Sequence, residues 1–118
     1  MNKDFLKIRT GVIGVGSMGQ NHARIYNEIS NLIGVADRNE EQGKRVAERF
    51  GVKWYKNFED LLAEVDAVSI AVPTSLHLKI TKKALESGVH VLVEKPLSNN
   101  IKDAEEIVKL ADNKFVIV

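Results

Sequence analysis

The chain has 118 residues, which suits one compact domain and excludes two. Its 17 Lys and Arg residues against 16 Asp and Glu leave a net charge of +1, which gives no electrostatic reason to expect a nucleic-acid or anionic-membrane partner. Cysteine is absent, which excludes disulfides, thiolate metal sites and cysteine nucleophiles. Because the chain shows neither a secretory signal pattern nor an apolar run of about 18 residues, we expect a cytoplasmic protein.

Short apolar runs rich in Val and Ile alternate with longer segments of helical period, which is typical of βαβ units and a parallel α/β sheet. The first, fourth and fifth runs are almost continuously apolar, as expected of central strands that helices cover on both faces. The six predicted strands are Ile8–Val15, Leu32–Asp37, Val52–Tyr55, Ala67–Val72, Val89–Glu94 and Phe115–Val118.

Five helical segments are predicted between these strands. The second has Asn39 as its N-cap, with Gln42 at the capping-box spacing, and ends at Gly51. The first opens at Ser17 and is expected to place its larger side chains on one side, namely Met18, His22, Ile25, Tyr26 and Ile29.

The remaining helices are assigned in the same way. Asn57 is expected to cap a short third helix, and the fourth runs from about Ser75 to Ser87 and ends at Gly88. The last carries an apolar face made of Ile101, Ala104, Ile107, Val108 and Ala111.

The first strand is followed by a GxGxxG motif that opens a predicted helix. Gly14 permits a tight turn, Gly16 lets backbone amides approach a diphosphate, and Gly19 lets the helix pack closely. The free amides and the positive end of the helix dipole would then hold the anion. The predicted cofactor-binding residues of this loop are Gly14, Val15, Gly16, Ser17, Met18 and Gly19.

An acidic residue closes the second predicted strand, where an adenosine ribose bound to such a loop would present its hydroxyls. This residue is Asp37, and its carboxylate would accept both hydroxyl protons. A 2′-phosphate about 4 Å away would be repelled by roughly 4 kcal/mol per unit charge at an effective dielectric near 20, which favours NAD over NADP. The neighbouring Arg38 keeps NADP open, because a guanidinium can pair with a 2′-phosphate or stack on adenine.

Two further strand ends lie where ligands bind in an open parallel sheet. After the fourth strand come Val72, Pro73 and Thr74, all predicted to contact the cofactor, although Thr74 or Ser75 could instead cap the fourth helix. His77 is a further cofactor-site candidate, with a surface or packing role favoured over proton transfer.

The fifth strand is followed by Glu94, Lys95 and Pro96, which we also predict to lie at the cofactor. Proline holds the preceding lysine extended, so Lys95 would point toward the nicotinamide end and donate hydrogen bonds there. His22 and His90 are interpreted as structural residues. No metal site is predicted, because no histidines and carboxylates have ligand spacing.

The segments GVIGVGSMGQNH, VADRN, AVPTSLH and VEKPLS, in this order and spacing, resemble the N-terminal domain of the glucose–fructose oxidoreductase and inositol dehydrogenase family. The resemblance covers nearly the whole chain, and its EKP tripeptide is the most specific part. It implies a Rossmann fold, a doubly wound parallel sheet of six strands in the order 3-2-1-4-5-6, that binds NAD or NADP. Its motifs fall on the three loop glycines, Asp37, the pair Pro73 and Thr74, and Glu94–Pro96.

The resemblance also implies an activity. In that family the lysine matched by Lys95 contacts substrate and the nicotinamide ribose, which makes Lys95 the predicted catalytic residue. Family members continue into a second domain that supplies substrate contacts and most of the homo-oligomer interface. We therefore expect residues 1–118 to be the NAD(P)-binding domain of a dehydrogenase acting on a sugar, cyclitol or nucleotide sugar, able to bind cofactor but not to turn substrate over alone.

Two alternatives come from other classes of protein. A non-catalytic dinucleotide sensor or regulatory module would explain the missing second domain, whereas the retained Lys95 favours the enzyme. A methyltransferase also has a glycine loop after its first strand and an acid ending the second. The longer GxGxxG motif and the EKP tripeptide argue against it.

Overall fold

The computed structural model describes residues 7–93 and the later positions 102, 105, 106, 109, 116 and 117. Its strands are β1 Arg9–Ile13, β2 Asn31–Ala36, β3 Lys53–Tyr55, β4 Ala67–Ile70, β5 His90–Val93 and β6 Val116–Ile117. Its helices are α1 Ser17–Ile29, α2 Glu40–Phe50, α3 Phe58–Leu62 and α4 His77–Glu86, with a 3₁₀ turn at Thr74–Leu76. Residues 102, 105, 106 and 109 are helical, whereas the apolar face predicted for that last helix lies outside the described residues.

The strands form a parallel sheet, so the predicted α/β doubly wound architecture is confirmed. The order is 3-2-1-4-5, and the two residues of β6 pair in parallel with β5 on the outer side. Strand β1 pairs with β2 on one side and with β4 on the other, so the order in which successive strands are added across the sheet reverses at β1. A crevice at the carboxyl ends of β1 and β4 is the expected result, and this is where open parallel sheets bind ligands.

Two apolar layers cover the two faces of the sheet. Val12 and Val35 belong to the layer beneath α1 and α2, whereas Ile13, Val68 and Ile70 belong to the layer beneath α3 and α4. Neighbours in β1 thus point into opposite layers, as the alternation of a strand requires. The prediction that helices cover both faces of the central strands is therefore confirmed for β1 and β4. The ends of these two strands carry the site.

Helix α1 packs on a different face from the one its larger side chains suggest. Met18, Ile25 and Ile29 are exposed, at 53%, 43% and 42%, whereas Gly19 and Ala23 are buried. Small residues face the sheet because they let the helix axis come close to β1 and the loop that follows it. The larger side chains that were expected on one side therefore differ in burial: Tyr26 packs against the core in a partly buried position, whereas Met18, Ile25 and Ile29 are exposed.

The helix ends partly follow the predicted caps. The Asn39 side chain accepts a hydrogen bond from the Gln42 amide, and Gly51 ends α2 in the left-handed conformation at φ 65°. Asn57 occupies the N-cap position of α3, but its side chain makes no capping hydrogen bond.

Thr74 and Ser75 do not cap α4. The chain enters this helix through the 3₁₀ turn, in which the Leu76 amide donates to the Pro73 carbonyl at 2.9 Å, so α4 begins only at His77. The turn satisfies backbone groups that a side-chain cap would otherwise serve.

Candidate functional site

The loop between β1 and α1 is built around its glycines. Gly14 has φ 89°, which favours glycine, and a Cβ there would come within 2.5 Å of the Ala71 carbonyl oxygen. A Cβ at Gly19 would overlap the Gly14 carbonyl oxygen, whereas one at Gly16 would meet nothing within 4 Å. The predicted tight turn and close helix packing are confirmed, and Gly16 faces open space.

The acid that follows β2 is held against this loop. Asp37 Oδ2 accepts a hydrogen bond from the Val15 amide at 3.0 Å, and Oδ1 accepts one from the Asn39 amide at 2.8 Å. Its own backbone is fixed as well, because the Trp54 indole donates to the Asp37 carbonyl at 3.0 Å and the Asp37 amide donates to the Tyr55 carbonyl at 3.2 Å. The carboxylate is thus placed by β1, β2 and β3 together.

The other side of Val15 is held by two side-chain amides. Gln20 Nε2 donates to the Val15 carbonyl at 3.0 Å, and Gln42 Nε2 donates to the same oxygen at 2.7 Å. Sequence reasoning missed this role: Gln42 was assigned only to helix capping and Gln20 to no function. The available signal was the position of each amide in the first turn of a helix that adjoins the loop.

The segment after β4 closes the crevice from the opposite side. The Ala71 amide donates to the Ile13 carbonyl at 2.8 Å and so ties this segment to the end of β1. His77 is 1% exposed and bonds through Nε2 to the Val72 carbonyl at 2.9 Å. Since a carbonyl only accepts, Nε2 carries the proton. The burial of His77 agrees with a packing role, and its assignment as a cofactor contact stays a prediction.

A cleft of about 480 Å³ lies at these strand ends. Lys56 and Phe58, which follow β3, and Leu76 and Lys79 on the opposite wall also line it and were not predicted. Ser17, Met18, Gly19 and Thr74 do not line it, although they were predicted as cofactor-binding residues. The predicted residues that line the cleft are Gly14, Val15, Gly16, Asp37, Arg38, Val72 and Pro73.

The residues predicted after β5, namely Glu94, Lys95 and Pro96, lie outside the described residues. The described part of β5 ends at Val93, which pairs with Ile70 at the end of β4. The end of β5 is therefore beside the strand whose following loop closes the cleft.

A polar cluster joins α1 to β4 away from the cleft. The fully buried Ser69 hydroxyl lies 2.8 Å from His22 Nδ1 and 2.6 Å from the Tyr26 hydroxyl. Burial raises the pKa of the Tyr26 hydroxyl above its usual value, and the hydrogen bond with Ser69 opposes this shift in part. The structural role predicted for His22 is confirmed.

Within the part of the chain that the structure describes, no helix is long and apolar enough to cross a membrane. Over the same residues, no three His, Cys, Asp or Glu side chains are grouped so that they could hold a metal ion.

Comparison with known proteins identifies a family that this chain matches. Residues 8–118 match the Gfo/Idh/MocA family model, an oxidoreductase family with an NAD-binding Rossmann fold. The chain is 41% identical over 113 residues to UDP-N-acetylglucosamine 3-dehydrogenase of Acidithiobacillus ferrooxidans, covering 96% of this chain and 36% of that protein. The solved structure of that dehydrogenase superposes with a TM-score of 0.89 over 93% of this chain and 38% of that one.

Two further solved structures contain the cofactor. GenD2 from gentamicin A biosynthesis, in complex with NAD, has a TM-score of 0.91 at 30% identity and covers 94% of this chain and 34% of that one. Scyllo-inositol dehydrogenase from Lactobacillus casei, with bound NAD(H) and scyllo-inositol, has a TM-score of 0.86 at 26% identity, covering 93% and 35%.

The chain spans about a third of the length of the relatives it matches. The methyltransferase alternative is set aside by the family match, and the expectation that the cofactor is NAD is confirmed. The match over residues 8–118 agrees with the left-handed first glycine of the loop and with the acid bonded to that loop. The chain therefore belongs to the Gfo/Idh/MocA oxidoreductase family and carries its NAD-binding Rossmann domain.

Proposed function

We propose that this chain is the cofactor-binding domain of a dehydrogenase that transfers a hydride between NAD and a hydroxyl-bearing carbon of a sugar, cyclitol or nucleotide sugar. The observation that carries the proposal is the Asp37 carboxylate bonded to the Val15 amide at the lip of the cleft. This contact supports the proposal because it holds the acid directly against the glycine loop, as is expected where a ribose binds beside its diphosphate.

The cleft residues fit the adenosine and diphosphate part of the cofactor. A carboxylate has about four acceptor positions, and two amides use only two of those on Asp37, which leaves acceptors for the ribose 2′- and 3′-hydroxyls. The start of α1 adds backbone amides and the positive end of a helix dipole for the diphosphate. The open space at Gly16 leaves room for the anion to approach the backbone.

NAD is preferred over NADP in this proposal. A 2′-phosphate beside Asp37 would place two like charges together in a partly enclosed cleft. Arg38 and Lys56 also line the cleft and reduce this repulsion. We therefore expect a preference for NAD of about tenfold, well below the limit of an unscreened charge pair.

Bound NAD supplies the hydride acceptor. For the alcohol to become a ketone, its carbon gives up a hydride and its hydroxyl gives up a proton. We assign Lys95 the task of hydrogen bonding to that hydroxyl and helping its proton leave, by resemblance to the family lysine. The substrate class follows the relatives, which include a nucleotide-sugar dehydrogenase and an inositol dehydrogenase.

Calorimetric titration of the chain with NADH, NADPH and S-adenosylmethionine tests this function. We expect binding of NADH, weaker binding of NADPH and no heat with S-adenosylmethionine. Asp37→Asn should weaken NADH binding and reduce the difference in affinity between NADH and NADPH. The substitution removes the charge that repels the 2′-phosphate and keeps the size of the side chain. Equal or tighter NADPH binding by the unaltered chain would contradict the preference.

The non-catalytic sensor is separated from the enzyme by the nicotinamide end of the cofactor. If the chain belongs to a dehydrogenase, Lys95→Ala weakens the binding of NADH but not that of ADP-ribose, which has no nicotinamide. In a sensor that needs only the adenosine half, both ligands bind unchanged. We also expect the isolated chain to show no turnover with sugar substrates, so a robust dehydrogenase rate from these 118 residues would contradict the assignment of a separate substrate domain.

A further inference from the structure

Val15 is held by side chains on both sides of its backbone. Its amide donates to Asp37, and its carbonyl oxygen accepts from Gln20 at 3.0 Å and Gln42 at 2.7 Å. These are the only two glutamines in the sequence, and both donate to the same atom. Because they come from different helices, α1 and α2, their convergence fixes this peptide from two directions.

Gln42 is itself anchored. Its backbone amide donates to the Asn39 side chain at 3.1 Å, and the Asn39 amide donates in turn to Asp37 at 2.8 Å. The capping residue of α2, the ribose-binding acid and the carbonyl donor therefore form one hydrogen-bonded chain around Val15. Because backbone amides donate the bonds to Asn39 and Asp37, these two links do not depend on the side-chain amide of Gln42.

The two glutamines occupy both acceptor positions of the Val15 carbonyl oxygen. The C=O and N–H of a planar peptide group point in opposite directions, so the position of this carbonyl sets the direction of the Gly16 amide. If the peptide turned over, the loop would present an oxygen instead of an N–H to the cleft. An oxygen there would repel an anion.

We propose that Gln20 and Gln42 are positioning residues that hold the Val15–Gly16 peptide with the Gly16 amide available to the cofactor diphosphate. The proposal rests on the proposed function, because it concerns the same site. It makes the effect of the glutamines specific for the diphosphate, because both side-chain amides donate to the Val15 carbonyl and act through the Gly16 amide. Pre-organisation of this kind improves affinity by removing the cost of ordering the loop on binding.

The experiment uses Gln20→Met, Gln42→Met and the double variant, since methionine keeps the side-chain length and removes the amide. Binding of NADH and ADP-ribose is measured by calorimetry, and binding of adenosine, which lacks the diphosphate, by NMR titration. Each single variant is expected to bind NADH and ADP-ribose about fivefold more weakly, as for the loss of one hydrogen bond, and adenosine unchanged. The double variant should lose more than either single variant.

Asn21→Met and Glu41→Met are the matched controls, since both residues are exposed neighbours on the same helices. Both controls should bind all three ligands as the unaltered chain does. Equal NADH affinity in the glutamine variants would overturn the proposal, as would a parallel loss of adenosine, which would indicate general damage to the fold. If the unaltered chain itself fails to bind NADH, the proposed function fails instead.

A second variant keeps the test sharp if the methionine changes disturb folding. Gln42→Glu removes the hydrogen-bond donor. Glutamate is favoured as much as glutamine in the first turn of a helix, so α2 is preserved. Its added charge also repels a diphosphate, but that repulsion weakens with salt, whereas loss of the donor does not. Weaker ADP-ribose binding that persists at high salt supports the proposal, and full recovery at high salt overturns it.

Discussion

At the residue scale, two glycines of the same loop are needed for different reasons. A Cβ at Gly19 would overlap the Gly14 carbonyl, a backbone atom with little freedom to move, whereas a Cβ at Gly16 would meet nothing within 4 Å. We expect Gly19→Ala to lower the free energy of unfolding by about 2 kcal/mol, the usual scale of overpacking. Urea denaturation of the purified chain measures this loss.

Gly16→Ala is the matched variant in the opposite sense. Gly16 has φ −69°, which alanine adopts without strain, so its unfolding free energy should stay within about 0.5 kcal/mol of the unaltered chain. NADH binding should nevertheless weaken, because the new methyl group stands where the diphosphate approaches. Unchanged stability in Gly19→Ala, or unchanged NADH affinity in Gly16→Ala, would contradict the division of roles.

The sequence predicts the residues whose role follows from their spacing along the chain. It does not predict those whose role depends on how closely two helices approach the loop. Gly14 and Asp37 were predicted because a turn after β1 and an acid after β2 have fixed places in the pattern. The convergence of Gln20 and Gln42 on one carbonyl depends on how closely α1 and α2 approach the loop. No spacing rule contains that distance.

At the element scale, the start of β1 is linked to the turn before β4. The Arg9 amide donates to Asp66 Oδ2 at 2.9 Å, the Arg9 guanidinium lies 3.0 Å from Oδ1, and the Asp66 amide donates back to the Arg9 carbonyl at 2.8 Å. Hydrogen bonds from the side chain and backbone of Arg9 lower the pKa of the Asp66 carboxyl. The two ends are thus joined where the central strand pair begins.

This link predicts a pH-dependent contribution to stability. Since the folded-state pKa of Asp66 is lowered, its contribution is present above the unfolded-state pKa and is lost as the pH falls through the folded-state pKa. Asp66→Asn should therefore unfold more easily than the unaltered chain at pH 7, with the difference closing below about pH 3 to 4. Thermal denaturation across this range checks it, and a difference that stays constant down to pH 2 contradicts it.

The contact of α1 with β4 predicts the opposite behaviour at high pH. Burial raises the pKa of Tyr26, so the unfolded chain loses its phenolic proton first and the folded state loses stability as the pH rises above about 10. Tyr26→Phe should cost about 1 kcal/mol near pH 8 through its lost hydrogen bond to Ser69. Its stability should then fall less steeply than that of the unaltered chain between pH 9 and 11, as followed by circular dichroism.

Helix packing faces were harder to predict than strand positions. The strands have one dominant signal, continuous apolar sequence, because both of their faces are covered. In α1 the larger apolar residues outnumber the small ones, yet Gly19 and Ala23 are buried because close approach requires small side chains. A hydrophobic pattern reports which residues are apolar, but not which of two adjacent stripes can come close enough to pack.

At the scale of the whole molecule, the cleft joins parts of the sheet that are distant in sequence. Its lining comes from segments that follow β1, β2, β3 and β4. A ligand bound there contacts only the folded arrangement, since unfolding separates these segments. Binding should therefore stabilise the fold as a unit and not one loop alone.

The expected stabilisation can be calculated from affinity. Binding to the folded state alone adds RT ln(1 + [L]/Kd), which is about 2.7 kcal/mol at a hundredfold excess over Kd. For a domain of this size, that should raise Tm by roughly 10 °C. The rise should grow with the logarithm of NADH concentration, be smaller for NADPH at equal concentration and be nearly lost in Gly16→Ala, whose own Tm stays normal. A Tm independent of NADH up to millimolar concentration would show that this cleft does not bind the cofactor in the isolated chain.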